Sequence, residues 1–552
     1  MDNNADQYEG PTASRREFLV QAGLGVGALM IGATGLPACS PSRSSSHIKG
    51  GMVGANHQTG HKLRAIPALH KLPIAGQLTT DVLIIGGGVS GLSARRWLHQ
   101  QGVREVMLVE MDTQTGGNAA YGQNAVSAYP FGAHYLPVPD LRHKELLDFL
   151  QESEVCTGFD AEKRPIYNDY FLCHDPEERL FINGFWQEGL VPETGVPEIE
   201  KEQIRRFFEV IEHFRQAKGT DGLDAFTIPL DRSSTDAQFR ALDAISFAGY
   251  LDKEGFTSPY LRWYLTYCCR DDYGATLETT SAWAGIHYFA SRKGQAANAT
   301  AASVLTWPQG NGFLVDQLRA QADSPIRHNL LGYDLQLSSS GVTVRACDVE
   351  TNHTILIHAR KVIMATPQFI TKHLTGSIDP ERTNLAGFRY APWMVANLTI
   401  SGLPQGRGMP LCWDNVLYNT PSVGYITANH QDLHDTPQKV ITYYKPLTDQ
   451  EPDAARRTAY TTTYEQWLDQ ILNELEMAHA GITPYVSQVD VWLWGHGMIA
   501  PSPGFIWGAE RQRARQPIDN RVFFAHSDLS GISIFEEAFY QGIRAAQEVT
   551  KA

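Results

Sequence analysis

A chain of 552 residues with 43% hydrophobic residues is globular and too long for one ordinary core, which predicts two intertwined domains able to bury a large cofactor. A formal charge of -14 and a pI near 5.7 exclude a nucleic-acid partner, because no stripe of Lys and Arg is there to meet phosphates. Seven cysteines without C-x-x-C or Cys/His zinc spacing point away from a redox dithiol and from a metal site.

At the amino terminus, Ser14-Arg15-Arg16-Glu17-Phe18-Leu19-Val20 precedes a Gly- and Ala-rich apolar run over residues 21–36, and together they resemble a twin-arginine export signal. A transmembrane anchor is the competing reading, disfavoured by the glycines, the modest apolar length and the paired arginines. Leu36-Pro37-Ala38-Cys39 resembles a lipobox, in which Cys39 is acylated and anchors the protein to a membrane; ordinary cleavage nearby, leaving a soluble periplasmic protein, is the alternative. The twin-arginine translocase moves folded proteins, so this address predicts a cofactor bound before export. Residues 1–39 are thus read as signal, and 40–76, rich in Ser, Gly, His and Lys, as a linker in which His57 and His61 are solvated rather than metal ligands.

Asp81-Val82-Leu83-Ile84-Ile85 is a continuous apolar run, as a strand buried on both faces should be. It leads into Gly86-Gly87-Gly88-Val89-Ser90-Gly91, a G-x-G-x-x-G at Gly86, Gly88 and Gly91, and then a helix over residues 90–101. The first glycine permits the tight turn, the second lets a diphosphate approach the backbone, and the third lets the helix pack on the strand. A second strand over 106–109 ends in Glu110, nineteen positions beyond Gly91, where an acid binds the adenosine ribose hydroxyls. Thr115-Gly116-Gly117-Asn118 follows closely and resembles the second glycine pair of FAD enzymes, which decides for FAD over NAD.

From these motifs the sequence resembles the flavin-containing amine oxidase superfamily, which includes protoporphyrinogen oxidase and phytoene desaturase-like enzymes. Gly132-Ala133-His134 looks like the stretch that returns the chain toward the flavin. Residues 326–346 read as a strand, a Ser-Ser-Ser-Gly turn and another strand, and 362–367 as the strand returning to the nucleotide fold. At the carboxyl terminus, Arg521-Val522-Phe523-Phe524-Ala525, then His526-Ser527-Asp528 and a helix from about Ser533 through Glu536-Glu537-Ala538, is similar to the family's closing strand, acid and helix. The resemblance implies that Asp528 bonds the ribityl hydroxyls and that the helix amino end, with Glu536, Glu537 and Ala538, faces the flavin pyrimidine. A hydrolase triad at His526-Ser527-Asp528 is set aside, since adjacent residues rarely converge and no G-x-S-x-G elbow is present.

Three departures stand out: Asn118 where many relatives carry Arg, and His526 and Glu537 where Gly is usual. The places for an aromatic flavin-flanking residue and for a water-binding lysine fall at Ile534 and Asn397. Trp492, Trp494, His496, Trp393 and Tyr390 offer aromatic surface for a substrate cavity, with core packing as the competing reading. Arg270-Asp271-Asp272-Tyr273 reads as a surface ion pair, and Cys268-Cys269 as buried small residues rather than a vicinal disulfide.

The fold class expected is α/β: a Rossmann-like FAD-binding domain of the two-dinucleotide-binding flavoprotein type over 77–140, 300–375 and 500–552. It is interleaved with an α+β substrate domain over 141–299 and 376–499. The expected function is transfer of a hydride from a small-molecule amine or activated C–H substrate to FAD, by a protein exported to the periplasm. Alternatives are a desaturase or isomerase acting on a lipophilic substrate, and a flavin-binding accessory protein without turnover. No catalytic residue is assigned.

Overall fold

The computed structural model describes residues 45–432 and 436–552. The paired arginines, the apolar run and Cys39 lie outside the described residues.

The strand Ile74–Ile85 is the centre of the first sheet. It runs parallel to Val106–Val109, with Ile85 opposite Val109, and to His353–Met364, with Met364 opposite Ile85. Covered on both faces, residues 82–85 need no polar alternation. Val82 and Ile84 join the core formed with the helices Val89–Gln100 and Phe535–Lys551, whereas Leu83 and Ile85 pack with Leu63, Met107 and Met364 on the other face.

Seven strands make this sheet, in the spatial order Ile326–Arg327, Val106–Val109, Ile74–Ile85, His353–Met364, Gly341–Asp348, Leu330–Ser338, with Val522–Phe524 also on His353–Met364. His353–Met364 serves two partners in succession: Gly341–Asp348 pairs antiparallel with residues 353–359, and Val522–Phe524 runs parallel to residues 362–364. The hairpin that closes at Ser338 and Gly341 therefore stands on the same edge that receives the carboxyl-terminal strand. All the parallel strands end at one edge, where Gly86, Glu110, Ala365 and Ala525 begin the following loops.

A second, mostly antiparallel sheet has eight strands in the order Lys49–Gly54, Val486–Ile499, Tyr390–Ile400, Lys439–Pro446, Tyr425–Thr427, Asp414–Leu417, Glu178–Ile182, Phe185–Glu188. Tyr390–Ile400 is buried at every residue. Trp393 and Val395 face the core shared with helices Pro259–Tyr273 and Ala282–Ala290, and Met394, Ala396 and Leu398 face the helix Tyr464–Ala478.

Two readings of the sequence are corrected here. The segment read as a linker is folded from residue 49: Lys49–Gly54 runs parallel to Val486–Ile499, Lys49 opposite Gln488. Its glycines mark close packing, not flexibility, since a Cβ on Gly54 would stand 2.3 Å from the Trp492 ring. The cluster read as a surface ion pair lies on the buried helix Pro259–Tyr273, with Asp272 only 7% exposed. Cys268 and Cys269, on the same helix, are buried free thiols, as read.

Candidate functional site

The glycine turn is built by contact. Gly86 takes a φ of 108°, and a Cβ on Gly91 would stand 2.0 Å from the Gly86 carbonyl oxygen, so the helix Val89–Gln100 starts against the loop. Gly88 is different: a Cβ there would meet nothing within 4 Å. Open space thus sits at the helix amino end, where the first N–H groups, those of Val89 and Ser90 included, have no intrahelical acceptor.

Ser90 turns its hydroxyl the other way, donating to the Ala538 carbonyl at 2.8 Å, and so ties the turn to the last helix. Glu110 Oε2 accepts from Gly87 N at 2.7 Å and Oε1 from Asp112 N at 2.9 Å; burial nonetheless pushes its carboxyl up to about 7. Gly116 N donates to Gly87 O at 2.9 Å, which joins the second glycine pair, Gly116 and Gly117, to the first.

Next to this crevice opens a cavity. One wall is Asn118 and Gly132-Ala133-His134, where Ala133 N donates to Asn118 O at 3.0 Å and Asn118 Nδ2 reaches Gly497 O on the second sheet. A second wall carries Trp393, Tyr444 and Trp494. Ile534 and Glu536, at the amino end of Phe535–Lys551, complete it. His134 stacks on Tyr444 with ring centres 4.6 Å apart, and burial lowers its pKa to about 4, leaving a neutral imidazole.

Three further lining residues, Asp271, Asp272 and Arg292, are charged and were not assigned to the site from sequence. Arg292 Nη2 donates to both oxygens of Asp272, at 2.8 and 3.0 Å, and Tyr135 OH donates to Asp272 Oδ1 at 3.4 Å. Asp271 receives no hydrogen bond or ion pair from the described residues. Burial, with the adjacent Asp272 charge, pushes its carboxyl up to about 7 against the pull of Arg292. The signal available in the sequence was two consecutive acids in an otherwise apolar, aromatic-rich helix.

Of the five aromatic candidates, Trp393 and Trp494 line the cavity. Trp492 stacks on Phe131 at 4.1 Å, His496 on Phe369 at 4.1 Å, and Tyr390 OH donates to Asp528 Oδ2. Asp528 is held within the protein: Oδ2 also accepts from Gln368 N at 2.9 Å, and His526 Nδ1 lies 2.9 Å from Oδ1. Burial acts to raise its pKa, but His526, Tyr390 and the Gln368 amide outweigh it and the net shift is downward. Asn397 lies outside the cavity wall, with Oδ1 accepting from Thr442.

Glu536 and Glu537, neighbours in the first turn of the last helix, part company. Glu536 faces the cavity and burial raises it to about 7; Glu537 points to the opposite side, where Oε1 accepts from Leu230 N at 2.6 Å and burial raises it to about 8. A carboxyl raised from 4.5 favours the fold fully below that pH and loses this contribution as pH climbs through about 8. Glu537→Gln keeps the shape without the titration. We expect it to flatten a decline in stability that runs between about pH 5 and 8, by up to about 4 kcal/mol once complete at pH 9 in urea unfolding, while changing little at pH 5. An equal decline in both proteins would refute this.

Several buried polar atoms around the crevice lack a protein partner: Thr115 Oγ1, both amide atoms of Gln368, and Asn311 Oδ1, which borders the cavity. Together with the open space at Gly88 and two helix amino ends, this is a cradle for an extended nucleotide whose ring system carries donors and acceptors. FAD fits it. The sequence profile of the flavin-containing amine oxidoreductase family matches residues 89–550, and the chain belongs to that family. It is an FAD-dependent oxidoreductase.

Among solved structures, a triple mutant of putrescine oxidase is 16% identical with a TM-score of 0.62, over 86% of this chain and 99% of that one. Cyclohexylamine oxidase from Brevibacterium oxydans IH-35A is 15% identical with a TM-score of 0.59, over 86% and 99%. A fatty acid isomerase from P. acnes that produces CLA is 15% identical with a TM-score of 0.57, over 86% and 98%. At such identities the likeness is one of fold. Curated proteins give no sequence match.

Proposed function

We propose that the protein oxidises an amine that enters the cavity as a cation, taking a hydride from the carbon beside the nitrogen. The observation that carries this reading is Asp271, an acid in the cavity wall without a protein partner. Arg292 is already paired with Asp272, so the surplus charge available to a ligand is negative. FAD, when bound, supplies the two-electron acceptor.

The chain's own groups do the rest. Asp271 receives the ammonium and, with a pKa near 7, can take its proton at a carboxylate oxygen, which frees the nitrogen lone pair needed for hydride loss. Trp393, Tyr444 and Trp494 flank the organic part and exclude water. The amino end of Phe535–Lys551 presents positive partial charge to the cavity. It is not cancelled by two full negative charges, because burial holds Glu536 and Glu537 partly protonated near neutral pH.

The competing reading is a desaturase or isomerase acting on a lipophilic substrate. An acidic substrate of that kind would need a cation free to hold its carboxylate, and Arg292 is engaged, while a neutral one would leave Asp271 without a role. We further propose export in folded form by the twin-arginine translocase to the periplasm, with Cys39 in position for lipid anchoring, on the strength of Arg15-Arg16 and the run that follows. The experiment is anaerobic mixing of yellow protein recovered from the periplasmic fraction with a panel of amines and of uncharged or acidic alkenes. Bleaching by amines alone is expected. Bleaching only by the alkenes would overturn the substrate reading, and recovery only from the cytoplasm would overturn export.

A further inference from the structure

We infer that residues 49–66, ahead of the family-matched region, form part of the cofactor site: a strap that holds the adenosine end of FAD and brings positive charge to its diphosphate. The inference rests on the FAD assignment and concerns groups that the glycine motifs do not include.

Both ends of the strap are anchored, in different places. Lys49–Gly54 is the edge strand of the eight-stranded sheet, whereas Leu63, 2% exposed, is buried in the core of the parallel sheet with Ile85, Met107 and Val109. The residues between must cross from one sheet to the other. At the crossing, Asn56 Nδ2 donates to Asp112 Oδ1 at 3.0 Å, and Gly60 packs toward Met111, where a Cβ would lie 3.9 Å from the sulfur. Met111 and Asp112 directly follow Glu110, the acid at the end of the second parallel strand, where this fold binds adenosine ribose hydroxyls.

The far side of the crossing meets the second sheet. The His57 ring lies 4.5 Å from that of Tyr460 and the His61 ring 6.3 Å from it. Tyr460 belongs to the helix Pro452–Thr461, whose Arg456 Nε donates to Gly495 O at 2.6 Å. Two residues on, Gly497 O takes the bond from Asn118, beside the second glycine pair. Strap, helix and strand therefore link the loop after Glu110 to Asn118, the residue that follows the second glycine pair.

Charge supports the same assignment. His61 and Arg64 are 2.9 Å apart, and His61, Arg64, Lys372 and Arg456 all act on His496, whose pKa burial and then these neighbours lower to about 3. The acid paired to this group is Asp453, on Arg456. In a chain of formal charge -14, the three cations Arg64, Lys372 and Arg456 gather around His496, one residue from the Gly497 carbonyl that bonds Asn118, and the diphosphate is their complement.

A strap fastened across the cofactor must open before FAD can leave. The test uses the holoprotein and measures release as the growth of free-flavin fluorescence after dilution. Arg64→Glu and Asn56→Ala alter exposed side chains, and each is expected to speed release at least tenfold. Independently of any variant, hydrogen exchange at amides 56–66 is expected to be slower in the holoprotein than after FAD removal. Unchanged release in both variants, or equal exchange in the two forms, overturns the inference. Unmodified protein that neither carries nor rebinds flavin would instead overturn the cofactor assignment itself.

Discussion

Asp271→Asn is expected to lower kcat/KM for a cationic amine about 100- to 1,000-fold, the cost of removing one partner from a desolvated charge pair. The substitution is nearly isosteric, so the cavity stays open and FAD stays bound. It should also abolish a pH limb. The unmodified protein needs Asp271 ionised to hold an ammonium, so its kcat/KM should fall as pH drops through about 7, where the variant should be flat.

Stability should move the other way. An Asp raised from 3.8 favours the fold only while protonated and weakens it as pH rises through about 7, so at pH 8 the Asn variant should be at least as stable as the parent. Steady-state kinetics across pH, beside urea unfolding, separate the two effects. Parallel losses of activity and stability would reduce Asp271 to a structural residue.

The second large effect concerns FAD itself. Gly88→Ala adds a methyl group that meets no protein atom within 4 Å, at a φ of -74° that alanine adopts freely, so the apoprotein should unfold at the parent's denaturant midpoint. FAD affinity should nevertheless fall at least 100-fold, because the methyl enters the space left for the diphosphate. Gly91→Ala is the contrast: its Cβ would stand 2.0 Å from a backbone oxygen, so both stability and FAD binding should suffer. Equal FAD retention by Gly88→Ala and the parent, measured by flavin absorbance after gel filtration, would place the diphosphate elsewhere.

The nucleotide fold was legible because its determinants are local. Strand, turn, helix, second strand and Glu110 lie within 37 consecutive residues of Ile74, and the close approach of Gly91 to the Gly86 carbonyl is made inside that unit. The closing segment was legible for a similar reason, since Val522–Phe524 is a short apolar run beside a helix whose first turn is acidic. Glu537 shows where this stops: next to Glu536 in sequence, it turns to Leu230, more than three hundred residues away, and only packing sets that direction.

The acids of the cavity were opaque for the same physical cause. Asp271 and Asp272 look like solvated charge because a sequence does not reveal that Arg292 reaches back to one of them and that both line a cavity with Trp393 and Val395 of the second sheet. The glycines of residues 50–54 look like a flexible tether because the ring of Trp492, against which Gly54 lies, comes more than four hundred residues later. By itself, then, the sequence determined a dinucleotide fold and its preference for FAD, since those depend on spacings inside one supersecondary unit. What surrounds the cofactor, which acids face a substrate and what straps the adenosine end were decided only in the tertiary structure, where long-range packing selects the charges that are desolvated and the ones that find partners.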